Sequence, residues 1–189
     1  MTSILKRLTG SMVKEGIISA EDREIYLFGI RELISQIFAY SVMFGIGFVF
    51  GMLMETIVFI IVYMSLRVYA GGYHAPSQLA CYILSFGMVI VALLLIRWLS
   101  VSEVVIVVSI VLMGGMIYSM APSEHKNKPL SQNEKKIYKK KVGKRIIANI
   151  LFSLAVAITG MTEILTAMGI ALFFLAFMMV CNREKLKKG

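Results

Sequence analysis

Apolar residues along this chain gather into six runs, separated by short polar breaks and by one long basic stretch. The first run, Leu33 to Met54, holds no charge and as a helix covers roughly 33 Å, enough for a hydrocarbon core of ~30 Å. Glu55 interrupts it, and the pattern resumes from Thr56 to Leu66. That segment is short, so the second span is expected to continue through Val68, Tyr69 and Ala70, with Arg67 facing protein or snorkelling to the interface. Gly71 and Gly72 end it. Leu79 to Ile96 is the third span, with Pro76 suited to the first turn of its helix. Arg97, Trp98 and Glu103 mark an interfacial loop with an aromatic anchor. Val104 to Met120 is the fourth span, where Gly114 and Gly115 permit close helix contact. Ile146 to Thr162 and Ile164 to Val180 complete the set, with a tight turn around Glu163.

Ahead of these runs, residues 1–32 mix charge with apolar positions. Ile4, Leu5, Leu8 and Met12 fall near helical spacing, with Lys6, Arg7 and Lys14 on other faces, which predicts an interfacial amphipathic helix. Gly16 interrupts it, and Ser19 followed by Asp22 resembles a helix-start signal for a second stretch through Arg31. The expected fold is all-α: one polytopic membrane domain over residues 1–189, with an interfacial segment at 1–32, six transmembrane helices over 33–180, and a basic tail at 181–189. Residues 121–145 form a loop between spans four and five, with a basic helical portion after Leu130.

Composition agrees with the pattern. The chain is 58% hydrophobic yet carries a formal net charge of +9, and its mean hydropathy is +0.80. A soluble domain of this length could not hide so many apolar residues behind so few charges. The basic excess does not point to nucleic acid, because it sits between apolar runs rather than on a folded aqueous face. It points to anionic lipid head groups. The first thirty residues are too polar for a signal-peptide apolar region, so no cleaved leader is expected.

Charge also sets orientation. With the N-terminus in the cytoplasm, six spans put every Lys and Arg except Arg97 inside, including Lys126, Lys128, Lys135, Lys136, Lys139, Lys140, Lys141, Lys144 and Arg145. Both termini and the turn between spans two and three then face the cytoplasm. Cys81 and Cys181 both fall on this reducing side, so neither is expected in a disulfide.

That turn carries the candidate chemistry. The chain has two histidines and two cysteines, and one of each, His74 and Cys81, lie two helical turns apart in R-V-Y-A-G-G-Y-H-A-P-S-Q-L-A-C, Arg67 to Cys81. A cysteine nucleophile needs a thiolate, which a neighbouring histidine supplies by taking the proton. Burial near lipid disfavours that charge, so His74 as base and Arg67 as cation are the candidates within the stretch. Gly71 and Gly72 let backbone approach closely, and free N–H groups at the following helix start suit an oxyanion or thiolate. The competing reading is an interfacial histidine and a packing cysteine. A third member is open among Glu32, Gln36, Gln78 and Glu55. Glu32 lies at the cytoplasmic entrance of span one, near the right depth, and is also readable as an interfacial carboxylate paired with Arg31 or a lysine. Glu55 falls on the far side.

The segments R-x-x-A-G-G-Y-H-A at Arg67 to Ala75, with Cys81 following, and A-P-S-E-H-K-N-K-P-L at Ala121 to Leu130 resemble the accessory gene regulator protein B (AgrB) family, across nearly the whole chain. The resemblance implies a membrane cysteine endopeptidase acting on a small propeptide, AgrD. It implies that Cys81 attacks a peptide bond near the propeptide's C-terminal part with His74 as base, that the C-terminal fragment leaves, and that an internal cysteine or serine displaces the enzyme from the thioester to close a thiolactone or lactone for quorum sensing.

His125 belongs to the second motif, but Glu124, Lys126 and Lys128 around it suit a solvated loop. His74, Cys81, His125 and Cys181 lack zinc-site spacing, so no metal and no cofactor is expected. Lys135, Lys136, Lys139 and Lys140 read either as positive-inside charge or as a receiver for an acidic propeptide tail. The 14 methionines are apolar filler that also suits an amphipathic peptide. The pattern admits a homodimer. The alternative functions are a peptide transporter or exporter, against which stand the lack of internal repeat and of mid-membrane charge, and a noncatalytic partner of a sensor kinase.

Overall fold

Seven helices, α1 to α7, account for most of the described chain. The computed structural model describes residues 2–72, 77–123 and 130–188, with side chains over 4–72, 77–123 and 130–183. The chain divides into two compact units, Met1–Met43 and Phe44–Gly189.

In the first unit, α1 (Thr2–Lys14) is the predicted amphipathic helix, with Lys14 in the last turn where a cation suits the helix dipole. Gly16 turns the chain at φ 70°, a conformation open to glycine at little cost. The Ser19 hydroxyl accepts from the Asp22 N–H at 3.1 Å and donates to the Asp22 carboxylate at 2.7 Å. This is the predicted start signal. From it α2 (Arg23–Val49) runs unbroken, so the stretch expected to stop at Arg31 is continuous with the first span.

The second unit holds the other five helices. Gly51 at φ 69° closes the turn after α2, and the Met52 N–H donates to the Gly47 carbonyl at 2.8 Å. Span one therefore ends at Val49, short of Met54. Leu53 and Met54 already belong to α3 (Leu53–Ala70), which carries Glu55 in its first turn. Apolar periodicity gives no sign of a turn between two apolar helices. Then come α4 (Gln78–Trp98), α5 (Glu103–Met120), α6 (Gln132–Ile158) and α7 (Thr162–Lys188).

Helix α7 is the axis of this unit and packs on α3, α4, α5 and α6. Its Leu165, Met168, Leu172, Leu175 and Met179 are wholly buried, as are Ala167 and Ala171. Between helices in lipid the hydrophobic drive is small and close packing carries association. Small residues give that closeness: a Cβ at Gly169 would stand 3.2 Å from Ile106 of α5, and one at Gly114 would stand 2.9 Å from Ile146 of α6. Gly114 thus makes the contact predicted for it, while Gly115 meets open space.

Five helices, α2, α3, α4, α5 and α7, are long and apolar enough to cross a membrane. Large apolar side chains such as Phe48 and Ile61 point outward, as lipid-facing positions do. Helix α6 differs. Ser131 and Glu134 form a reciprocal capping box at its start, so the basic run from Lys135 to Arg145 is the first half of a helix, continuous with the apolar half Ile146 to Ile158. The apolar half alone covers only ~20 Å. Nevertheless α6 packs along both α3 and α5. The turn into α7 lies at Thr159 to Met161, with Gly160 at φ 70°. It precedes the expected position, since Glu163 is already in the first turn of α7.

Candidate functional site

The last turns of α3 and the first turn of α4 come together here. On α3, Phe59, Tyr63 and Arg67 recur every four residues and share one face. Phe59 stacks on Tyr63 with centroids 6.0 Å apart, and meets Phe174 of α7 edge-on at 6.1 Å. Arg67 folds back along this face. Its Nη1 donates to the Tyr63 hydroxyl at 2.9 Å, and its guanidinium carbon lies 5.5 Å from the centre of the same ring.

Helix α3 stops at Gly71, whose N–H donates to the Arg67 carbonyl at 3.0 Å and whose φ is 78°. A side chain at Gly71 would run into the Ser123 carbonyl, 2.5 Å from a Cβ placed there. Gly72, at φ 150°, leaves room for Arg67: a Cβ there would stand 2.8 Å from Nη1. The guanidinium thus occupies space that any other residue at 72 would contest.

The second sequence motif meets the first at this turn. The Ser123 N–H donates to the Ala70 carbonyl at 2.8 Å, and the Ser123 hydroxyl accepts from the side-chain amide of Asn182 on α7 at 2.8 Å. Asn182 is buried. Segments far apart in the chain are therefore joined by the end of α7.

Cys81 stands in the first turn of α4. Ser77 caps that helix by accepting from the Ala80 N–H at 3.2 Å, and the Cys81 N–H donates to the Ser77 carbonyl at 3.0 Å. The side chain is exposed and the thiol is free, as is that of half-buried Cys181. A thiol exposed in the first turn of a helix is chemically suited to nucleophilic attack.

Of the residues singled out in the sequence, Arg67, Gly71 and Gly72 come together at the end of α3, and Cys81 stands in the first turn of α4. His74 and Pro76 lie outside the described residues, as does His125. Gln78 is the first residue of α4. Glu32 is half-buried in the first unit and forms no ion pair with Arg31 or a lysine among the described residues. Gln36 is exposed on the same helix. Glu55 sits at the opposite end of α3, ~18 Å from Arg67 along the axis.

The basic residues are tied in by aromatic rings. Lys139 Nζ lies 5.1 Å from the centre of Tyr118, and Lys141 Nζ and the Arg145 guanidinium lie 4.9 and 5.2 Å from the centre of Tyr69. Tyr69 also meets Tyr138 edge-on. These cation–π contacts pin the first half of α6 to the ends of α3 and α5. Lys135 is half-buried, while Lys136 and Lys140 are exposed on the outer face.

Sequence reasoning missed Tyr63, Ser123 and Asn182. Tyr63 had a signal, since it precedes Arg67 by four residues, where helix side chains meet.

The Accessory gene regulator B family model matches residues 5–181 of the chain. Among curated relatives, accessory gene regulator protein B of Staphylococcus aureus (strain MRSA252) is 30% identical over 66% of this chain and 65% of its own length. A putative AgrB-like protein of Clostridium perfringens (strain SM101 / Type A) is 28% identical over 70% of this chain and 65% of its own. Accessory gene regulator protein B of Staphylococcus carnosus (strain TM300) is 25% identical over 89% and 88%. The chain thus spans just under two thirds of the length of the first of these relatives. No solved structure matches the chain.

Proposed function

The chain belongs to the accessory gene regulator B family, and from that premise we propose that it is a membrane cysteine endopeptidase that matures an AgrD-like propeptide for quorum sensing. The observation that carries this reading is the exposed Cys81 thiol in the first turn of α4, which follows in the chain on the Arg67 and Tyr63 pair and the Gly71 and Gly72 turn.

His74 takes the Cys81 proton, and Sγ attacks the carbonyl carbon of a peptide bond in the propeptide. The tetrahedral intermediate collapses as the amine of the C-terminal fragment leaves with the proton from His74. A thioester remains. An internal cysteine or serine of the propeptide then attacks the thioester carbonyl, closes the ring and releases Cys81 as thiol. Exchange of one thioester for another needs little driving force, and hydrolysis is disfavoured when water is kept from the thioester.

Counting α6 with the five helices long and apolar enough to cross gives six spans, both termini in the cytoplasm and the site near the inner face, a reading supported by the one-sided Lys and Arg distribution. Lys136 and Lys140, exposed on α6, suit the acidic tail of a propeptide. Lys135 and Lys139 flank them.

Co-reconstitution with the propeptide in liposomes tests the assignment. Cys81→Ala and His74→Ala each abolish cleavage while the fold persists, and the wild type accumulates an acyl-enzyme visible by intact mass. Unchanged cleavage in either variant would falsify the assignment, and peptide flux without cleavage in the wild type favours an exporter.

A further inference from the structure

We propose that Lys140 and Lys144, on the outer face of α6, form a binding site for the headgroup of an anionic phospholipid. The inference rests on the six-span reading of α6 above and goes beyond it to a specific partner.

Helix α6 divides its cations between protein and surroundings. Lys139 meets the ring of Tyr118, and Lys141 and Arg145 meet that of Tyr69. Lys140 and Lys144 are exposed and face neither a carboxylate nor a ring among the described residues. The neighbouring helices offer no other outward cation at this end. Helix α3 holds only Arg67, folded onto Tyr63, α5 holds none, and Arg97 stands in the last turn of α4.

Geometry places lipid beside the two lysines. At about 100° per residue, Lys140, Lys144, Ile147, Leu151, Leu154 and Ile158 fall within about 80° of one another. All six are exposed. They lie opposite Val142, Ile146, Ser153 and Val156, which are buried against the bundle. One stripe therefore begins basic and continues apolar to the end of the helix, and its apolar part faces hydrocarbon once α6 crosses the bilayer.

Length then sets the level of the lysines. The apolar half of α6 covers ~20 Å of a ~30 Å hydrocarbon core. A helix too short for the core is accommodated by snorkelling side chains or by local thinning. The residues suited to this are at the basic end: Lys144 lies ~4.5 Å along the axis from Ile147, and Lys140 ~6 Å further. Their stems run along acyl chains and their ammonium groups rise to the phosphates. A zwitterionic headgroup neutralises its own phosphate, whereas an anionic one brings an uncompensated charge that lysines at the surface attract. Lys136, another ~6 Å out, stands in water with the acidic propeptide tail, and Lys140 is where the two partners meet.

The test uses the full-length protein in vesicles of phosphatidylcholine and phosphatidylglycerol. Trp98→Phe removes the single native tryptophan, and Ile147→Trp places a fluorophore on the stripe beside Lys144. Quenching by brominated phosphatidylglycerol and by brominated phosphatidylcholine gives their relative binding constants. Phosphatidylglycerol is expected to bind more tightly, with the preference falling about fivefold for each of Lys140→Gln and Lys144→Gln and unchanged in Lys136→Gln. Equal binding of the two lipids overturns the proposal and leaves both lysines to the propeptide tail. So does an equal loss in Lys136→Gln, which makes the preference one of diffuse charge rather than of a site. Absence of quenching by either lipid puts Ile147 outside the bilayer and overturns the six-span reading itself, an outcome distinct from equal quenching by both.

Discussion

A methyl group at position 72 has nowhere to go: it would stand 2.8 Å from Arg67 Nη1, on a backbone at φ 150°. Gly72→Ala therefore moves the guanidinium off Tyr63 before it perturbs any helix. Displacements of about 1 Å near a reacting centre cost on the order of 10²-fold in rate. Cleavage by this variant in liposomes is expected to fall by that order, with thermal unfolding in detergent shifted little; wild-type cleavage would refute the role given to the Arg67 contact. At this scale the sequence shows what is contiguous. Arg67, Gly71, Gly72 and Cys81 were legible because one short segment holds them all. Asn182 was not, because its bond to Ser123 joins positions 59 residues apart and nothing local marks it; Ser123 stands inside the second motif, but nothing there names its partner. Tyr63 looked like one more apolar residue in an apolar helix.

Among the elements, α6 combines two characters that the sequence separates. In the sequence the stretch 121–145 reads as a loop with a basic helical portion after Leu130, followed by a separate span. The capping box at Ser131 and Glu134 instead starts one helix, and the rings of Tyr69 and Tyr118 hold its cations against α3 and α5. Ser131→Ala removes the cap, at a cost of ~1 kcal/mol. Amide exchange in the first turns of α6 is expected to accelerate about fivefold on that basis, with exchange at Ile150 and beyond unchanged; uniform exchange along α6 would argue against local fraying. The membrane-spanning parts of α2, α3, α4, α5 and α7 were legible because each is mostly apolar between polar breaks. Their ends were less so: the turn at Gly51 lies inside an unbroken apolar run, and only the glycine marks it.

For the molecule as a whole, charge counting gives an orientation that the helix list alone does not. If α6 crosses the membrane, Met161 in the turn before α7 emerges outside; if it lies on the cytoplasmic surface, that turn stays inside. Met161 is exposed, so Met161→Cys in a background with both native cysteines replaced is expected to react with an impermeant maleimide added to intact cells. Reaction only after permeabilisation would overturn the six-span topology. The sequence made the membrane class plain through its uncharged runs, yet it could not show which helix α3 to α6 pack on. That helix is α7, and its place in the chain bears on biogenesis. Domains form vectorially as synthesis proceeds, N-terminal parts first. Helices α3 to α6 therefore enter the bilayer with their inner faces still facing lipid or one another, and the segment that completes all their interfaces is the last of the seven to leave the ribosome. Asn182, near the end of that segment, closes on Ser123 only then, so the Gly71 turn gains this brace after α3 to α6 have been made. Nascent chains would begin membrane insertion before they hold an assembled site, and that order keeps a reactive thiol from being fully set up before α7 has emerged.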